Sequence, residues 1–395
     1  MKKKSVHIQL APFNQCTGCS ACMSICPTRS ITMREDKEGF LQPHIDANTC
    51  IKCHKCEKTC PIISPIATPA GVETQAFAAI NKDEAVRMRS SSGGVFYALA
   101  KWTIDQGGVV FGARFDENWE VVHDYTETIE GIEPFMRSKY VQSRIGDTFK
   151  QAKQFLKEGR QVLFVGTPCQ IGGLKSYLNK EYAKLVTIDF ICHGIPSPSV
   201  WRTYTQELMT EDVLVNFNFR DKKDGWISHQ CTITIDTYSK TVHTKLLENP
   251  YFRGFRKDIY LRRSCYNCDY RTYHRISDFT IADYWGVVAN CQEMYDNKGT
   301  SIVFIHTSKA QNVFNDIRNN FITKKQIKEN AIFGNRGMDC ENPIWSPIKR
   351  RLFYAEMNVS SFHSAIKLLD GILKIEDPIM WFMKKLKRKI IKVLG

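Results

Sequence analysis

CTGCSACMSICP (residues 16–27) and CIKCHKCEKTCP (residues 50–61) repeat one spacing, C-x2-C-x2-C-x3-C-P. Three thiolates two residues apart can wrap one corner of a 4Fe-4S cluster, while the fourth, released by the proline, points toward another cluster. The spacing therefore predicts crossed ligation. One cluster is assigned to Cys16, Cys19, Cys22 and Cys60, and the other to Cys50, Cys53, Cys56 and Cys26. A zinc ribbon, the alternative, needs only C-x2-C pairs and gives no reason for the two extra cysteines before prolines.

The segment that carries these motifs, residues 1–62, is poor in long periodic stretches and cannot build a sizeable core alone. Crossed ligation would link the two motifs through both clusters and so stabilise such a segment. We therefore predict a 2x(4Fe-4S) ferredoxin domain that conducts single electrons. The proline-rich stretch PIISPIATPAG follows, and residues 63–75 are predicted to be a linker.

Composition limits the class of protein. The 395 residues are 43% hydrophobic and 24% charged, as in folded soluble proteins of two or three domains. The apolar stretches are far shorter than the roughly 20 residues that a membrane helix needs. Fifteen cysteines, an odd number, favour metal or catalytic use in a reducing compartment, which predicts a cytoplasmic location. The net charge of +14 comes without a nucleic-acid-binding motif, so no nucleic-acid partner is expected.

Beyond residue 75 the pattern alternates between short apolar strands and helices, which predicts βαβ units and a largely parallel sheet. After residue 213 strands dominate. The fold class expected is α/β (α+β overall), with a small ferredoxin-like domain before a larger mixed-sheet domain. The predicted divisions of the larger part are residues 76–150, 151–325 and a C-terminal extension, 326–395.

Four further cysteines are candidates for a third metal site. Cys169 and Cys192 each follow a predicted strand, so both should emerge at the carboxyl edge of the sheet, where open α/β folds bind ligands. Cys265 and Cys268 form another C-x2-C pair. Together the four could hold a third cluster, but a zinc site, a dithiol or separate buried thiols are also compatible with the spacing. The remaining cysteines, Cys231, Cys291 and Cys340, have no partners in sequence.

The stretches SSSGGVF, SKYVQS, GTPCQI, ICHG, SCYNC and SDFTIADYWG occur in this order after the ferredoxin motifs. In this set, over about residues 10–310, the chain resembles the coenzyme F-420 hydrogenase/dehydrogenase beta-subunit family. Relatives in that family include hydroxymethyl chlorophyll reductases and bacterial proteins encoded near surface-polysaccharide genes. The resemblance implies bound FAD and a third 4Fe-4S cluster on Cys169, Cys192, Cys265 and Cys268.

The SSSGG stretch offers a place for the flavin, because a helix start presents free N–H groups to a pyrophosphate. The candidate flavin-binding residues are Ser91, Ser92, Gly93, Gly94, Lys139, Tyr140, Gln142 and Thr167. An ordinary serine cap and a solvated SKYVQS loop are the structural alternatives. The candidate catalytic residues are His193 and Asp283, which could equally be a structural histidine and part of a buried aromatic turn. Arg262 and Arg263 could offset cluster charge, bind an anionic substrate or be solvated.

These features lead to two functional hypotheses. The first is an iron–sulfur flavoprotein oxidoreductase that moves electrons between a one-electron carrier such as ferredoxin, the clusters, FAD and a small two-electron substrate. The resemblance to bacterial proteins encoded near surface-polysaccharide genes suggests a link to surface-polysaccharide metabolism. The second is an electron-transfer subunit that works only with a partner oxidoreductase subunit. The tail, residues 377–395, carries six Lys/Arg and one acid on an amphipathic pattern, which predicts a docked helix or peripheral contact with the inner membrane face.

Overall fold

The computed structural model describes residues 8–67, 73–210, 212–338 and 342–371. Cys340 and the predicted basic helix at residues 377–395 lie outside these ranges. Among the described helices, none has both the length and the apolarity needed to cross a bilayer.

The two cysteine motifs fold into the same local structure. In the first, Gly18 and Ser20 have left-handed backbone angles before helix α1 (Ala21–Ile25), and in the second, Lys52 and His54 do so before helix α2 (Lys55–Thr59). Each helix is five residues long and ends at a cysteine with extended backbone. A hairpin of β1 (Ile31–Glu35) and β2 (Leu41–Ile45) joins the motifs. The repeated backbone is the structural counterpart of the repeated spacing.

The larger body begins at residue 75. Its strands are β3 (Gln75–Asn81), β4 (Val109–Phe115), β5 (Val121–Thr126), β6 (Val162–Val165), β7 (Leu185–Phe190), β8 (Leu214–Asp221), β9 (Thr232–Thr237), β10 (Thr241–Lys245), β11 (Phe279–Asp283), β12 (Ser301–Ile305) and β13 (Phe321–Gln326). Its helices are α3 (Glu84–Arg89), α4 (Val95–Asp105), α5 (Thr148–Lys157), α6 (Pro168–Leu178), α7 (Pro198–Met209), α8 (Pro250–Arg256), α9 (Val287–Asn290), α10 (Ser308–Ile317), α11 (Lys328–Ile332) and α12 (Pro347–Val359).

Eight strands form one mixed sheet in the order β13-β3-β12-β11-β7-β6-β4-β5. Strands β4, β6, β7 and β11 pair in parallel, whereas β12 pairs antiparallel with both β11 and β3. The carboxyl ends of β3, β11, β7 and β6 therefore lie at one edge. Strands β8, β9 and β10 form a separate antiparallel sheet. The mixed α/β class, with a small ferredoxin-like domain before a larger α/β domain, is confirmed.

Helices cover both faces of the large sheet, as a parallel core requires. Alternate residues of one strand point to opposite faces, so Leu163 joins a cluster with α4 and α10, whereas its neighbours Val162 and Phe164 pack against α5 and α6. All three side chains are fully buried. The three-stranded sheet packs against α7, α8, α12 and the helical residues 362–371 through a core rich in aromatic side chains.

Candidate metal and cofactor centres

The first cysteine set surrounds one cavity in the N-terminal segment. Cys16, Cys19 and Cys22 line it together with Cys60 from the second motif. Burial raises the pKa of Cys19 to about 11, and the nearby thiols of Cys16 and Cys60 contribute to this rise. The pKa of Cys22 is raised by burial and then by Cys19, Cys16 and Cys60. The structure thus brings together the four cysteines that the crossed-ligation rule assigns to one cluster.

The second set lies closer to solvent. Cys53 is exposed, and Cys56 is buried with a pKa raised by burial and by the charges of Glu57 and Cys53. Burial alone would raise the pKa of Cys26, but hydrogen bonds from Thr28 and nearby backbone amides lower it overall. Cys50 is half-buried. The assignment of Cys26 and Cys50 to this set stays a prediction from the motif spacing.

The third set forms at the carboxyl edge of the large sheet. Cys169 lies in the first turn of α6, just after β6, and Cys192 follows β7; Cys265 and Cys268 lie on the segment after α8. Burial raises the pKa of Cys169 well above its usual range, and Cys268, Cys192 and Cys265 raise it further. Burial also raises the pKa of Cys265 to about 12, with contributions from Cys192 and Cys268. Four thiols from three segments therefore converge here.

Polar groups approach the sulfurs of this third set. The hydroxyl of Thr167 lies 3.1 Å from Cys169 Sγ, and the backbone N–H of Ile195 donates to Cys265 Sγ at 3.4 Å. The positive charge of Arg271 lowers the pKa of Cys192, although burial raises it overall to about 11. Hydrogen bonds to sulfur and nearby cations are the groups by which proteins stabilise cluster thiolates and set their potentials.

Within the described ranges, no group of three or more His, Cys, Asp or Glu side chains has the geometry to hold a single metal ion. A tetrahedral zinc ion would draw its ligands to about 2.3 Å from one point. In a 4Fe-4S cluster each thiolate binds a different iron atom, so the sulfurs stay further apart. The donor chemistry of the thiol sets suits such a cluster, since each set offers four thiols and the first set lines one cavity. The positive charge of bound iron would also offset the mutual repulsion of the thiolates, which is why metal binding favours their deprotonated form.

The SSSGG stretch lies at the same sheet edge, next to β3 and β12. A side chain at Gly93 would collide with the carbonyl oxygen of Ala79, so this position requires glycine for the close approach to β3. The N–H of Gly93 donates to Ser301 Oγ at 2.9 Å, and Ser92 Oγ donates to the carbonyl of Thr300 at 2.9 Å. These two predicted flavin residues therefore fix the loop itself. Gly94, with a φ of 84°, precedes the eleven-residue helix α4.

Cationic side chains lie beneath this loop. Lys222 is buried and its Nζ donates to the carbonyls of Arg87, Ser92 and Lys298 at 2.5, 2.9 and 2.8 Å. Burial and the neighbouring Arg87 lower the pKa of Lys222 to about 7. Lys222 could not be predicted, because nothing in its local pattern separates it from a surface lysine at a strand end.

The SKYVQS residues divide between two places. Ser91 Oγ lies 3.2 Å from Ser138 Oγ, which ties this stretch to the SSSGG loop. The Lys139 ammonium donates to two backbone carbonyls at 2.6 Å each, and its pKa is lowered to about 7 by burial and by Arg137. Gln142 instead donates to the carbonyl of Thr17 at 3.4 Å, beside the first cysteine set. Gln142 and Thr167, both predicted for the flavin, thus lie next to cysteine sets.

Asp283, one of the two candidate catalytic residues, is already paired. It lies at the end of β11 and accepts hydrogen bonds from buried Arg220 at 2.9 and 3.2 Å and from the indole of Trp226 at 2.9 Å. The same Arg220 guanidinium lies over the ring of Trp285 and donates to the Tyr140 hydroxyl at 3.4 Å. This group of charged and aromatic side chains links the SKYVQS and ADYWG stretches.

The other candidate, His193, is paired as well. It is half-exposed, and its Nε2 lies 2.6 Å from Asp258 Oδ1. Asp258 also accepts from the backbone N–H of Ile344 at 2.8 Å. Asp258 could not be predicted as the partner of His193, since 65 residues separate the two.

Two arginines attach the N-terminal segment to the body. Buried Arg262 donates to the carbonyls of Cys16 at 2.7 Å and Leu41 at 2.9 Å and to Gln142 Oε1 at 3.1 Å. Arg350 binds the carboxylate of Glu38 with two hydrogen bonds at 2.8 and 2.6 Å. Of the three roles left open for Arg262, the structure excludes the solvated one. Arg263 is half-exposed, 3.4 Å from Glu38.

Comparison with known proteins identifies two regions. Residues 159–330 match the family described as the C terminus of the beta subunit of coenzyme F420 hydrogenase/dehydrogenase, and residues 15–62 match the family described as the 4Fe-4S dicluster domain. Both matches confirm the resemblance predicted from the sequence.

Two curated relatives are similar over part of the chain. The F subunit of the F(420)H(2) dehydrogenase of Methanosarcina mazei is 25% identical over 44% of this chain and 51% of its own length. An uncharacterized protein of Methanocaldococcus jannaschii is 25% identical over 45% of this chain and 57% of its own length. The chain thus spans about half the length of the curated relatives it matches. A chain in the structure of the F420-reducing NiFe hydrogenase complex from Methanosarcina barkeri is 14% identical, with a TM-score of 0.42, over 78% of this chain and 95% of that chain.

Proposed function

We propose that this chain, which carries a 4Fe-4S dicluster region and a coenzyme F420 hydrogenase/dehydrogenase beta-subunit region, is an iron–sulfur flavoprotein oxidoreductase. It passes single electrons between an external carrier, two ferredoxin clusters and a third cluster, and bound FAD turns them into a two-electron step on a small substrate. The observation that carries this proposal is the convergence of Cys169, Cys192, Cys265 and Cys268 at the sheet edge that also holds the SSSGG loop.

The support for FAD is electrostatic. The α4 N-terminus and the loop before it lie above Lys222 and Arg87, and Arg220 is close enough to affect the pKa of Lys222. A pyrophosphate carries negative charge, which the N-terminus of α4 favours, whereas Arg87 and Arg220 are already paired with Asp296 and Asp283. Ser91, Gly94 and Lys139 are the residues of this chain that would hold it. The link to surface-polysaccharide metabolism stays a prediction.

The relative from Methanosarcina mazei favours a second candidate function, because its name describes a dehydrogenase subunit. In this alternative the chain has no substrate of its own and delivers electrons to a partner subunit. The exposed second set, with Cys53 open to solvent and Ile51 63% exposed, supports contact with another redox protein. Substrate reduction by the isolated chain distinguishes the two functions: the first requires it, and the second requires the partner.

The test of the proposed function is cofactor analysis of the full chain purified without oxygen. We expect about twelve irons, as three 4Fe-4S clusters require, together with FAD that is released on denaturation. Ser91→Glu should abolish FAD binding and leave the iron content unchanged, because the added carboxylate repels the pyrophosphate. Ser308→Glu is the matched control, since it adds the same charge to the first turn of α10. Zinc in place of iron, or no flavin in the wild-type chain, contradicts the proposal.

A further inference from the structure

The N-terminal half of helix α6 contacts the first cysteine set and carries one member of the third. Cys169 lies in its first turn, and Gly172 and Gly173 follow one turn later. A Cβ placed on Gly173 would lie 3.0 Å from Cys19 Sγ, which is tighter than ordinary packing. The helix therefore touches a ligand of the first set on one side and supplies a ligand of the third set from its own N-terminus.

Tyr270 fills the adjoining space. A Cβ on Gly172 would collide with its hydroxyl oxygen and lie 3.0 Å from Cζ, so the phenol ring rests on the bare backbone of α6. Tyr270 also lines a cavity with Pro61 and Pro168, the residues that directly follow Cys60 and precede Cys169. Burial raises the pKa of Tyr270, and the further contributions come from both sets: Cys169 and Cys268 of the third, Cys19 and Cys60 of the first.

Two glycines in the middle of one helix need a reason, since each costs about 1 kcal/mol relative to alanine. Here Gly172 admits the Tyr270 ring and Gly173 admits Cys19. Both glycines therefore serve to bring the two thiol sets, and the ring between them, close together.

We propose that Tyr270, seated on Gly172, is the bridging residue through which electrons pass between the cluster on Cys16, Cys19, Cys22 and Cys60 and the cluster on Cys169, Cys192, Cys265 and Cys268. This inference rests on the proposed function, because it needs both clusters. In the step, one iron–sulfur centre loses one electron and the other gains it. Tyr270 keeps its hydroxyl proton and is itself neither oxidised nor reduced; it supplies a packed π-system where solvent would otherwise enter.

The inference is tested with Tyr270→Leu and Tyr270→Phe in the reconstituted full chain. Tyr270→Leu keeps apolar bulk but removes the ring, so electron transfer between the two clusters, followed after rapid reduction, should slow several-fold relative to the wild type. The magnetic interaction between the two reduced clusters in electron paramagnetic resonance should stay unchanged, because α6 still fixes their separation. Tyr270→Phe keeps the ring and should keep the wild-type rate.

A second variant, Gly172→Ala, keeps the tyrosine at position 270 but displaces its ring from α6. The change should not weaken the helix itself, because alanine favours helix formation. It should slow the same step with iron content unchanged. Tyr182→Ala, just beyond the other end of α6, is the control for general loosening and should leave the rate unchanged. Wild-type rates in fully loaded Tyr270→Leu and Gly172→Ala overturn the inference. A wild-type chain with only about eight irons overturns the third cluster and this inference together, so the two failures are distinguishable.

Discussion

The N-terminal segment (residues 8–62) and the α/β body (residues 73–371, as far as described) are held together in different ways. In the segment, the two helices are five residues long, the sheet is one hairpin, and the first cysteine set lines one cavity. In the body, central strands such as β6 are buried between helices on both faces. Metal binding and docking therefore stabilise the segment, whereas apolar burial stabilises the body.

The largest effect should follow loss of a cluster ligand in the segment. Cys19→Ala removes one thiolate of the first set, and metal binding coupled to folding contributes on the order of 10 kcal/mol in structural metal sites. We expect the segment to lose its protection from hydrogen exchange while the body keeps its own. Cys231→Ala is the matched control, because Cys231 is fully buried in the body and belongs to no cysteine set. Equal loss of protection in segment and body would contradict the comparison.

Acid should weaken the body through two buried histidines. Burial lowers the pKa of His123 to about 4 and that of His306, with help from Arg275, to about 3. The unfolded chain binds these protons near pH 6.5, so stability is complete above that pH. It falls by about 1.4 kcal/mol per pH unit and per histidine as the pH drops toward 4.

Tryptophan fluorescence during urea unfolding at pH 7 and pH 5 measures this effect in the body alone, since residues 8–62 contain no tryptophan. The double variant His123→Gln/His306→Gln should show a much flatter pH dependence. An equally steep dependence in the double variant would mean that other groups cause it.

Removal of the docking arginine should have an intermediate effect. Arg262→Ala leaves three acceptors without their donor, two of them buried, and each such buried loss costs roughly 1–3 kcal/mol. We expect easier protease cleavage between segment and body and a destabilisation of about 3 kcal/mol. Arg34→Ala, at an exposed position on the β1–β2 hairpin, should change neither. Unchanged protease cleavage and stability in Arg262→Ala would show that other contacts, such as Arg350 with Glu38, hold the segment.

The smallest effect should separate a helix cap from a sulfur contact. Thr167 caps α6 and lies 3.1 Å from Cys169 Sγ, whereas Thr307 caps α10 and contacts Asp278 instead of a cysteine. Each threonine-to-alanine change should cost about 1 kcal/mol of stability. Only Thr167→Ala should also shift the reduction potential of the third cluster, because hydrogen bonds to sulfur tune it. A shift of the reduction potential in both variants, or in neither, would show that Thr167 does not tune the third cluster.

The same contrast explains what the sequence could predict. In the segment, the spacing within each twelve-residue motif predicts the two ligand sets, and the structure places Cys60 beside Cys16, Cys19 and Cys22 around one cavity. Cys169 and Cys192 could be located because parallel strands end at one edge. Hydrophobic periodicity predicts the strands and helices of the body, but it cannot give the order of the strands.

Residues whose role depends on distant partners were missed. Lys222 reaches carbonyls up to 135 residues away, and Arg350 pairs with a glutamate 312 residues away. Tyr270 is placed by its contact with Gly172 of α6, which its local sequence does not specify. Such contacts arise only when the chain is folded, so no local pattern contains them.

We propose above all that twelve cysteines, eight in the N-terminal segment and four in the α/β body, hold three clusters. The most direct test of this proposal is the iron content of anaerobically reconstituted wild-type chain beside Cys169→Ser/Cys192→Ser. We predict about twelve irons for the wild type and about eight for the double variant, because only the cluster in the body is lost. The same iron content in both proteins, or zinc in either, would contradict the account.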